Sequence, residues 1–390
     1  MMLFRRCLKF TGSKWNTHNL LFSGAIYSAL SEVNCTLGRR TYVTQGSNQR
    51  KRYNVGLFGC GRIAGVHLKN ILSNRRLDLK WIVENDMRRI QEVKDEFYLD
   101  GNTPFFPSSE RDRLLSDKSL DAVVVVSPTS THTEYIVQSL KHGKDVFTEK
   151  PAGESVSDIR LCYETAENTG RTFLTGFTRR FDDSYRDVKS AIDNGTLGKL
   201  QVIKTTTRDS PKPSYEFLKS ADSTGCNILA DLGVHDIDMV VWLTRAQRPE
   251  SIYITCHVHD EQLQQCGQPD SMAGLIKYPD GVFVTMDVFR ESVYGYDIRL
   301  EAFGTGGMAL AENPRESSTV IDRESGGSTR RLFNSFPQRF EAPFAAELDH
   351  FINCMDGTTT PLVTKEESLC VADIIEKGVQ SYREKRVVFF

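Results

Sequence analysis

From Asn54 onward the hydrophobic positions change period at regular intervals. A solid apolar run from Val55 to Phe58 gives way to helical spacing over Ile63 to Leu72, and a second run, Leu79 to Val83, precedes a charged amphipathic stretch, Met87 to Phe97. The unit then repeats. Asp121 to Val126 is a valine-rich run of the kind buried on both faces of a parallel sheet, His132 to Lys141 predicts a helix, and Asp145 to Thr148 predicts a further strand. After Pro151, a helix over Val156 to Asn168 and a short strand over Thr172 to Thr175 complete the set. Alternation of this type predicts a doubly wound α/β domain.

The pattern changes near Lys199, where strands follow one another closely: Leu200 to Thr206, Ile252 to Val258, Gly274 to Lys277, Val282 to Phe289, Asp297 to Phe303 and Gly307 to Leu310. Turn residues such as Pro279-Asp280-Gly281 separate them, which predicts a mainly antiparallel open sheet with helices on one face. Two late helices, Ala345 to Met355 and Lys365 to Arg383, are expected to pack back on the first domain. At 390 residues the chain exceeds what one core usually organises. The expected division is an N-terminal extension at 1–52, a doubly wound domain at 53–176 and an α+β domain at 177–390. The sequence contains no internal repeat.

Composition fits an ordinary globular protein, with 39% hydrophobic and 26% charged residues. The formal charge of -2 is unevenly spread. Residues 1–52 hold nine Lys or Arg against one acid, Glu32, which leaves 40 basic and 50 acidic residues in the body, a formal -10. So acidic a body disfavours nucleic acid and anionic membrane surfaces, both of which require basic patches. The leader's one apolar run, Leu20 to Leu30, is too short to cross a bilayer, and no later segment reaches spanning length. Its Arg, Ser, Thr and Asn content suits a mitochondrial transit peptide; an unstructured extension on a cytoplasmic protein is the alternative. Nine cysteines without a C-x-x-C pair imply reduced thiols in an intracellular, soluble protein. His257 and His259 share a strand face but lack a third ligand, so no metal site is expected.

Gly59-Cys60-Gly61-Arg62-Ile63-Ala64 joins the first strand to the first helix. Gly59 permits the tight turn, Gly61 allows close approach of a pyrophosphate, and Ala64 lets helix and strand pack closely, with the helix N-terminus supplying amides and a positive dipole end. Glu84 stands 25 positions after Gly59, where an acid can accept hydrogen bonds from adenosine ribose hydroxyls. An acid there repels a 2′-phosphate, which favours NAD, while Arg88 and Arg89 keep NADP as the alternative. These features make 53–176 an expected NAD-binding Rossmann domain.

Glu149-Lys150-Pro151 follows a strand and so lies at the carboxyl edge of the sheet, where open parallel folds bind ligands. Lys150 there can polarise a substrate hydroxyl; read without context it is a solvated surface lysine. Asp231 and His235, four apart at the start of an apolar helix, fall on one face. A carboxylate can orient an imidazole that accepts a proton, although these residues read alone slightly favour Asp231 as a helix cap and His235 as a packing residue.

Taken in order, six segments resemble the glucose-fructose oxidoreductase, inositol dehydrogenase and MocA family, most closely its inositol 2-dehydrogenase-like branch. They are the turn Gly59 to Ala64 with His67; Ser127-Pro128-Thr129 followed by His132; Glu149-Lys150-Pro151; Gly176 to Asp182; Asp231 to Asp238; and Phe303 to Gly307. The likeness runs from about Tyr53 to the C-terminus. It implies that Lys150, Asp231 and His235 are catalytic, with His235 as base, and that Ser127, Pro128, Thr129, His132 and Glu149 line the nicotinamide half of the cleft. It also implies that Arg179 or Arg180 reaches the substrate, unless they pair only with Asp182 or Asp183. The leader departs from bacterial members, Cys226-Asn227 replaces a Gly-Gly pair of many relatives, and the loop Asp209 to Ser223 has its own composition.

The expected activity is NAD-dependent hydride transfer from a ring CH–OH of a cyclic polyol, myo-inositol foremost. Another sugar or a dihydrodiol is the alternative substrate, and a cofactor-sensing protein without turnover the alternative class. An open sheet face that needs covering predicts a homodimer or homotetramer.

Overall fold

A computed structural model describes residues 51–99, 101, 103–220, 227–265 and 267–390. The leader up to Arg50, Cys226 and the end of the Asp209 to Ser223 loop, on all of which expectations were placed, lie outside the described residues.

The first sheet comprises β1 (Tyr53–Phe58), β2 (Leu77–Val83), β3 (Phe105–Phe106), β4 (Ala122–Val125), β5 (Asp145–Glu149) and β6 (Phe173–Gly176). All six are parallel, in the order β3-β2-β1-β4-β5-β6. Helices α1 (Ala64–Ser73), α2 (Met87–Phe97), α3 (Arg111–Leu115), α4 (His132–Lys141) and α5 (Val156–Thr169) connect them. The valine run is buried on both sides. Ala122, Val124 and Val126 join a core with Val55, Leu57, Leu68 and Ile71, whereas Val123 and Val125 join a second with Phe58, Tyr135, Ile136 and Ile159. Strand order reverses between β1 and β4, which opens a crevice at their carboxyl ends.

After α6 (Asp183–Asp193) the chain enters the second sheet with β7 (Leu200–Arg208). There follow α7 (Tyr215–Ser220), a π-helical turn at Leu229–Gly233, α8 (Val234–Leu243), β8 (Ser251–His257), α9 (Glu261–Gln264), β9 (Ser271–Lys277), β10 (Phe283–Phe289), β11 (Asp297–Gly304) and β12 (Gly307–Ala311). A small hairpin, β13 (Val320–Ile321) with β14 (Ser328–Thr329), precedes α10 (Phe336–Arg339), α11 (Glu341–Met355), α12 (Lys365–Glu384) and β15 (Val388–Phe389). The sheet order is β12-β11-β7-β10-β9-β8-β15, antiparallel except for the parallel pair β7–β10.

Alternation along these strands places Ile252, Ile254, Met272, Ile276, Val284 and Met286 in a core with residues of α8 and α12. The opposite face leaves Tyr253, Leu275, Phe283, Phe303, Met308 and Leu310 exposed. The late helices close over the first sheet. Helix α11 packs on α1, where Tyr53 Oη donates to Asp356 at 2.7 Å and Arg76 pairs with the same carboxylate at 2.7 Å. Helix α12 starts with a Thr364/Glu367 capping box and meets α5 through Tyr163 and Ser368, whose hydroxyls lie 2.7 Å apart. Elements absent from the sequence-based expectation are mostly short: β3, β15 and the hairpin have two residues per strand and carry no period.

Candidate active site

The turn after β1 is built around Gly59, whose φ is +100°. A Cβ there would lie 2.6 Å from Ser127 Cα, so only glycine allows the β1 and β4 loops to approach. A Cβ at Gly61 would meet nothing within 4 Å, so that backbone faces open space. Helix α1 begins with no side-chain cap and no acid in its first turn, so its positive dipole end carries no competing carboxylate of its own, although Ala64 N and Val66 N already donate to Gly61 O and Ile63 O at 3.0 and 3.1 Å. Both glycines and the helix start thus fit a pyrophosphate cradle, with Arg62, Ile63 and Ala64 around it.

Glu84 follows β2 and staples the turn: its Oε2 accepts from Cys60 N at 2.8 Å and its Oε1 from Asn85 N at 2.7 Å. Arg89 Nη2 donates to Cys60 O at 2.8 Å, and Arg88 pairs with Glu92 at 3.0 Å. Both arginines are therefore engaged within the protein, next to a carboxylate that repels phosphate.

Ser127, Pro128 and Thr129 form the loop after β4. His132 does not face this cleft as a ligand contact, which corrects its expected role. Its ring is buried, with Nε2 2.8 Å from Ser127 O and Nδ1 2.7 Å from Pro151 O, so each nitrogen faces a backbone carbonyl and the neutral ring donates to one of them. The residue straps the β4 loop to the β5 loop. Burial holds its pKa below the ordinary histidine value despite the two carbonyl contacts.

Glu149 is likewise internal: its Oε1 lies 2.8 Å from His67 Nε2 and its Oε2 accepts from Lys150 N at 3.2 Å. Glu347, from α11, brings a carboxylate oxygen within 4.8 Å of both groups and accepts from Thr178 at 2.9 Å. Burial first, and then the Glu149 charge, push the Glu347 pKa well above the ordinary value, favouring the protonated carboxyl. His67 and Glu149 are hydrogen-bonded to each other, and Glu347 stands close by with its Oε1 buried and without a hydrogen-bond partner among the described residues.

Lys150 precedes Pro151 through a cis peptide and reaches across to the second half of the molecule. Its Nζ donates to Asp231 O at 2.9 Å and lies 3.9 Å from Asp231 Oδ1. Asp231 sits within the π-helical turn and His235 in the first turn of α8. Asp231 makes no helix-cap bond, and among the described residues its carboxylate is not hydrogen-bonded to His235. The carboxylate instead meets Arg290, whose Nη1 donates to Oδ2 at 2.5 Å.

Burial raises the Asp231 pKa, but Arg290, Lys150 and Arg62 outweigh it, leaving the carboxyl below its ordinary value. His235 is depressed well below the ordinary histidine value by burial first and then by the charges of Lys150 and Arg179. It is therefore an unprotonated imidazole at neutral pH.

Neither arginine of the Arg179-Arg180 pair is free. Arg179 Nη1 pairs with Asp236 at 3.1 Å and Nη2 donates to Thr207 at 2.9 Å, while Arg180 is wholly buried between Asp238 and Glu367, each at 2.7 Å. The expected substrate contact by Arg180 is thereby corrected. Asp182 pairs instead with Arg339, at 2.5 Å.

Sequence reasoning missed Arg290 and Asp209. Arg290 is 1% exposed at the end of β10, and Asp209, at the end of β7, has its pKa pushed up to about 6 by burial despite Arg62 and Arg290. An arginine or aspartate just past an alternating strand reads as surface, and no local signal separates these two from ordinary strand ends. His257 and His259 meet edge-to-face with centroids 4.6 Å apart, and His259 lies against Phe289.

A Rossmann sheet with a glycine cradle and a strand-end acid, facing a lysine and an unprotonated histidine contributed from both halves of the chain, defines a two-domain nicotinamide-dependent oxidoreductase. Residues 53–177 match the profile described as "Oxidoreductase family, NAD-binding Rossmann fold", and residues 185–310 match "GFO/IDH/MocA C-terminal domain". The chain belongs to the GFO/IDH/MocA oxidoreductase family, and its first domain is an NAD-binding Rossmann domain. It is 29% identical to myo-inositol 2-dehydrogenase of Thermotoga maritima, over 86% of this chain and 97% of that protein. It is 30% identical to scyllo-inositol 2-dehydrogenase (NAD(+)) of Bacillus subtilis, over 84% and 93%. Among solved structures, scyllo-inositol dehydrogenase from Lactobacillus casei with bound NAD(H) and scyllo-inositol superposes with a TM-score of 0.78 at 26% identity, covering 87% of this chain and 99% of that one. No helix among the described residues is long and apolar enough to cross a membrane.

Proposed function

We propose that this protein oxidises a ring CH–OH of a cyclic polyol, myo-inositol first, with NAD. The observation that carries the reading is the convergence of Lys150, from the edge of the first sheet, on the Asp231–His235 segment of the second half, at 2.9 Å. The names of its relatives support the substrate class. NAD, when bound to the glycine cradle, supplies the hydride-accepting C4 carbon. Ser127, Pro128 and Thr129 shape the nicotinamide side, Glu84 receives the adenosine ribose, and Glu149 holds the Lys150 backbone.

His235 removes the hydroxyl proton. Its depressed pKa keeps it unprotonated and ready, because burial and two neighbouring cations disfavour the imidazolium. Lys150 donates to the reacting oxygen and favours its alkoxide character. Asp231, an ionised acceptor, orients substrate hydroxyls together with Lys150, and Arg179 acts on the site through its charge. Holding both reactants in one cleft contributes about 7–11 kcal/mol of barrier reduction.

The exposed face of the second sheet supports pairing with a second copy. Cross-strand register aligns Met308, Phe303, Val202 and Phe283 in one apolar row. The basic leader reads as an import segment or as a plain extension, and N-terminal sequencing of the mature protein separates mitochondrial from cytoplasmic placement.

The test is NADH formation with myo-inositol, scyllo-inositol, open sugars and a dihydrodiol, for wild type, Lys150→Ala and His235→Ala. Turnover on an inositol, reduced about 10²- to 10⁴-fold in each variant, is expected. Turnover only on a dihydrodiol would change the substrate class, and undiminished rates in both variants would remove the mechanism.

A further inference from the structure

We infer that Arg290 is a positioning residue, whose buried guanidinium turns the Asp231 carboxylate away from His235 and holds it as an acceptor aimed at Lys150 and the substrate. Arg290 comes from the end of β10, and its place is doubly fixed. Its backbone N–H donates to Asp270 O at 2.8 Å, while the Asp270 carboxylate accepts from His259 N at 2.9 Å and Asp260 N at 2.7 Å. The side chain is 1% exposed and its Nη1 meets Asp231 Oδ2 at 2.5 Å. Lys150 stands 3.9 Å from the other oxygen, Oδ1. A cation from each sheet therefore stands beside the same carboxylate, Arg290 in hydrogen-bond contact with Oδ2 and Lys150 at ion-pair distance from Oδ1, its own hydrogen bond going to Asp231 O.

The groups facing Asp231 are Arg290 from β10, Lys150 from the β5 loop, Arg62 from the phosphate turn and Asp209 from β7. Burial alone would drive Asp231 to take up a proton, and a protonated acid there would become a donor competing with Lys150 for the reacting oxygen. Arg290 prevents this. Among the described residues His235 then has no hydrogen-bonded carboxylate, so the imidazole depends on its depressed basicity rather than on an aspartate, unlike a carboxylate-buttressed histidine.

The inference deepens the dehydrogenase reading, but its primary test needs no turnover. Aspartate carboxyl-13C-labelled protein is titrated by NMR, with the Asp231 signal assigned by its loss in Asp231→Asn. Wild type is expected to show a constant shift between about pH 5 and pH 8, Arg290→Gln a titration inside that window, and Arg290→Lys a return to the constant shift. A wild-type Asp231 that titrates in this window overturns the inference whether or not the glutamine variant folds, and so does a flat signal in folded Arg290→Gln.

The kinetic companion is kcat/KM for the polyol against pH. In Arg290→Gln it is expected to fall about tenfold per pH unit on the acid side of the new Asp231 pKa and to recover above it, with the Kd for NAD unchanged. A merely structural role would lower activity at every pH alike. An inactive wild type would sink the dehydrogenase reading and leave the carboxyl titration to judge Arg290 on its own.

Discussion

The chemistry of this cleft depends on how burial and charge act on single side chains. His235 lies in the first turn of an apolar helix, and burial, then Lys150 and Arg179, push its pKa well below the ordinary value. His235 is thus unprotonated at neutral pH, and with His235 as the proposed base, loss of activity through its protonation is expected only below about pH 6.5, on the acid side of the usual histidine range. Lys150→Met removes one of the depressing charges. The residual kcat/KM of that variant should show its acid limb at higher pH than wild type, and an unmoved limb would show that Lys150 does not face the imidazole. Asp231 illustrates the opposite balance, in which three cations outweigh burial. Its residue type and its spacing from His235 were visible in the sequence, but its partner was not, because Arg290 lies 59 positions downstream, just past β10.

Elements set which of these side chains can meet. The tight turn after β1 works only with glycine, and Gly59→Ala would place a methyl group 2.6 Å from the β4 loop at a backbone angle unfavourable for alanine. About 1–3 kcal/mol of strain is expected, read as a lower Tm by calorimetry together with at least a tenfold weaker Kd for NAD by titration calorimetry. Helix α11 contributes Glu347 to the internal cluster with His67 and Glu149. Because the folded pKa of Glu347 is raised, this group's contribution to stability is complete below the unfolded glutamate value and is lost as pH rises through the folded one. Glu347→Gln should therefore gain Tm relative to wild type as pH rises from about 5 to 9, and parallel Tm curves would refute a protonated Glu347. Helices such as Met87–Phe97 and His132–Lys141 were legible to the residue, since each shows an uninterrupted amphipathic period. The π turn at Leu229–Gly233 was not legible, since its period differs from an α-helix by only one residue per hydrogen bond.

For the molecule as a whole, one face of the second sheet is covered by its own helices and the other exposes Tyr253, Leu275, Phe283, Phe303, Met308 and Leu310. An apolar row on an open sheet is expected to be buried by a second copy in the reverse orientation. Phe303→Glu combined with Met308→Glu should shift the mass measured by light scattering towards the monomer while NAD binding persists. An unchanged mass would remove this face as the interface.

The alternation of strands and helices, the glycine turn and the two-sided valine run were readable directly, because backbone geometry imposes local periods on the chain that must bury these faces. The sequence also singled out Lys150, Asp231 and His235 as candidates, since hydride and proton transfer require a cation and a base, and the structure brings Lys150 to Asp231. The partnerships were not readable: Asp231 with Arg290, Arg180 with Asp238 and Glu367, and His132 with two carbonyls. Each joins positions distant along the chain, and the choice among several available charges is made by which of them end up buried at hydrogen-bonding distance, a condition that exists only once both sheets and the late helices have packed.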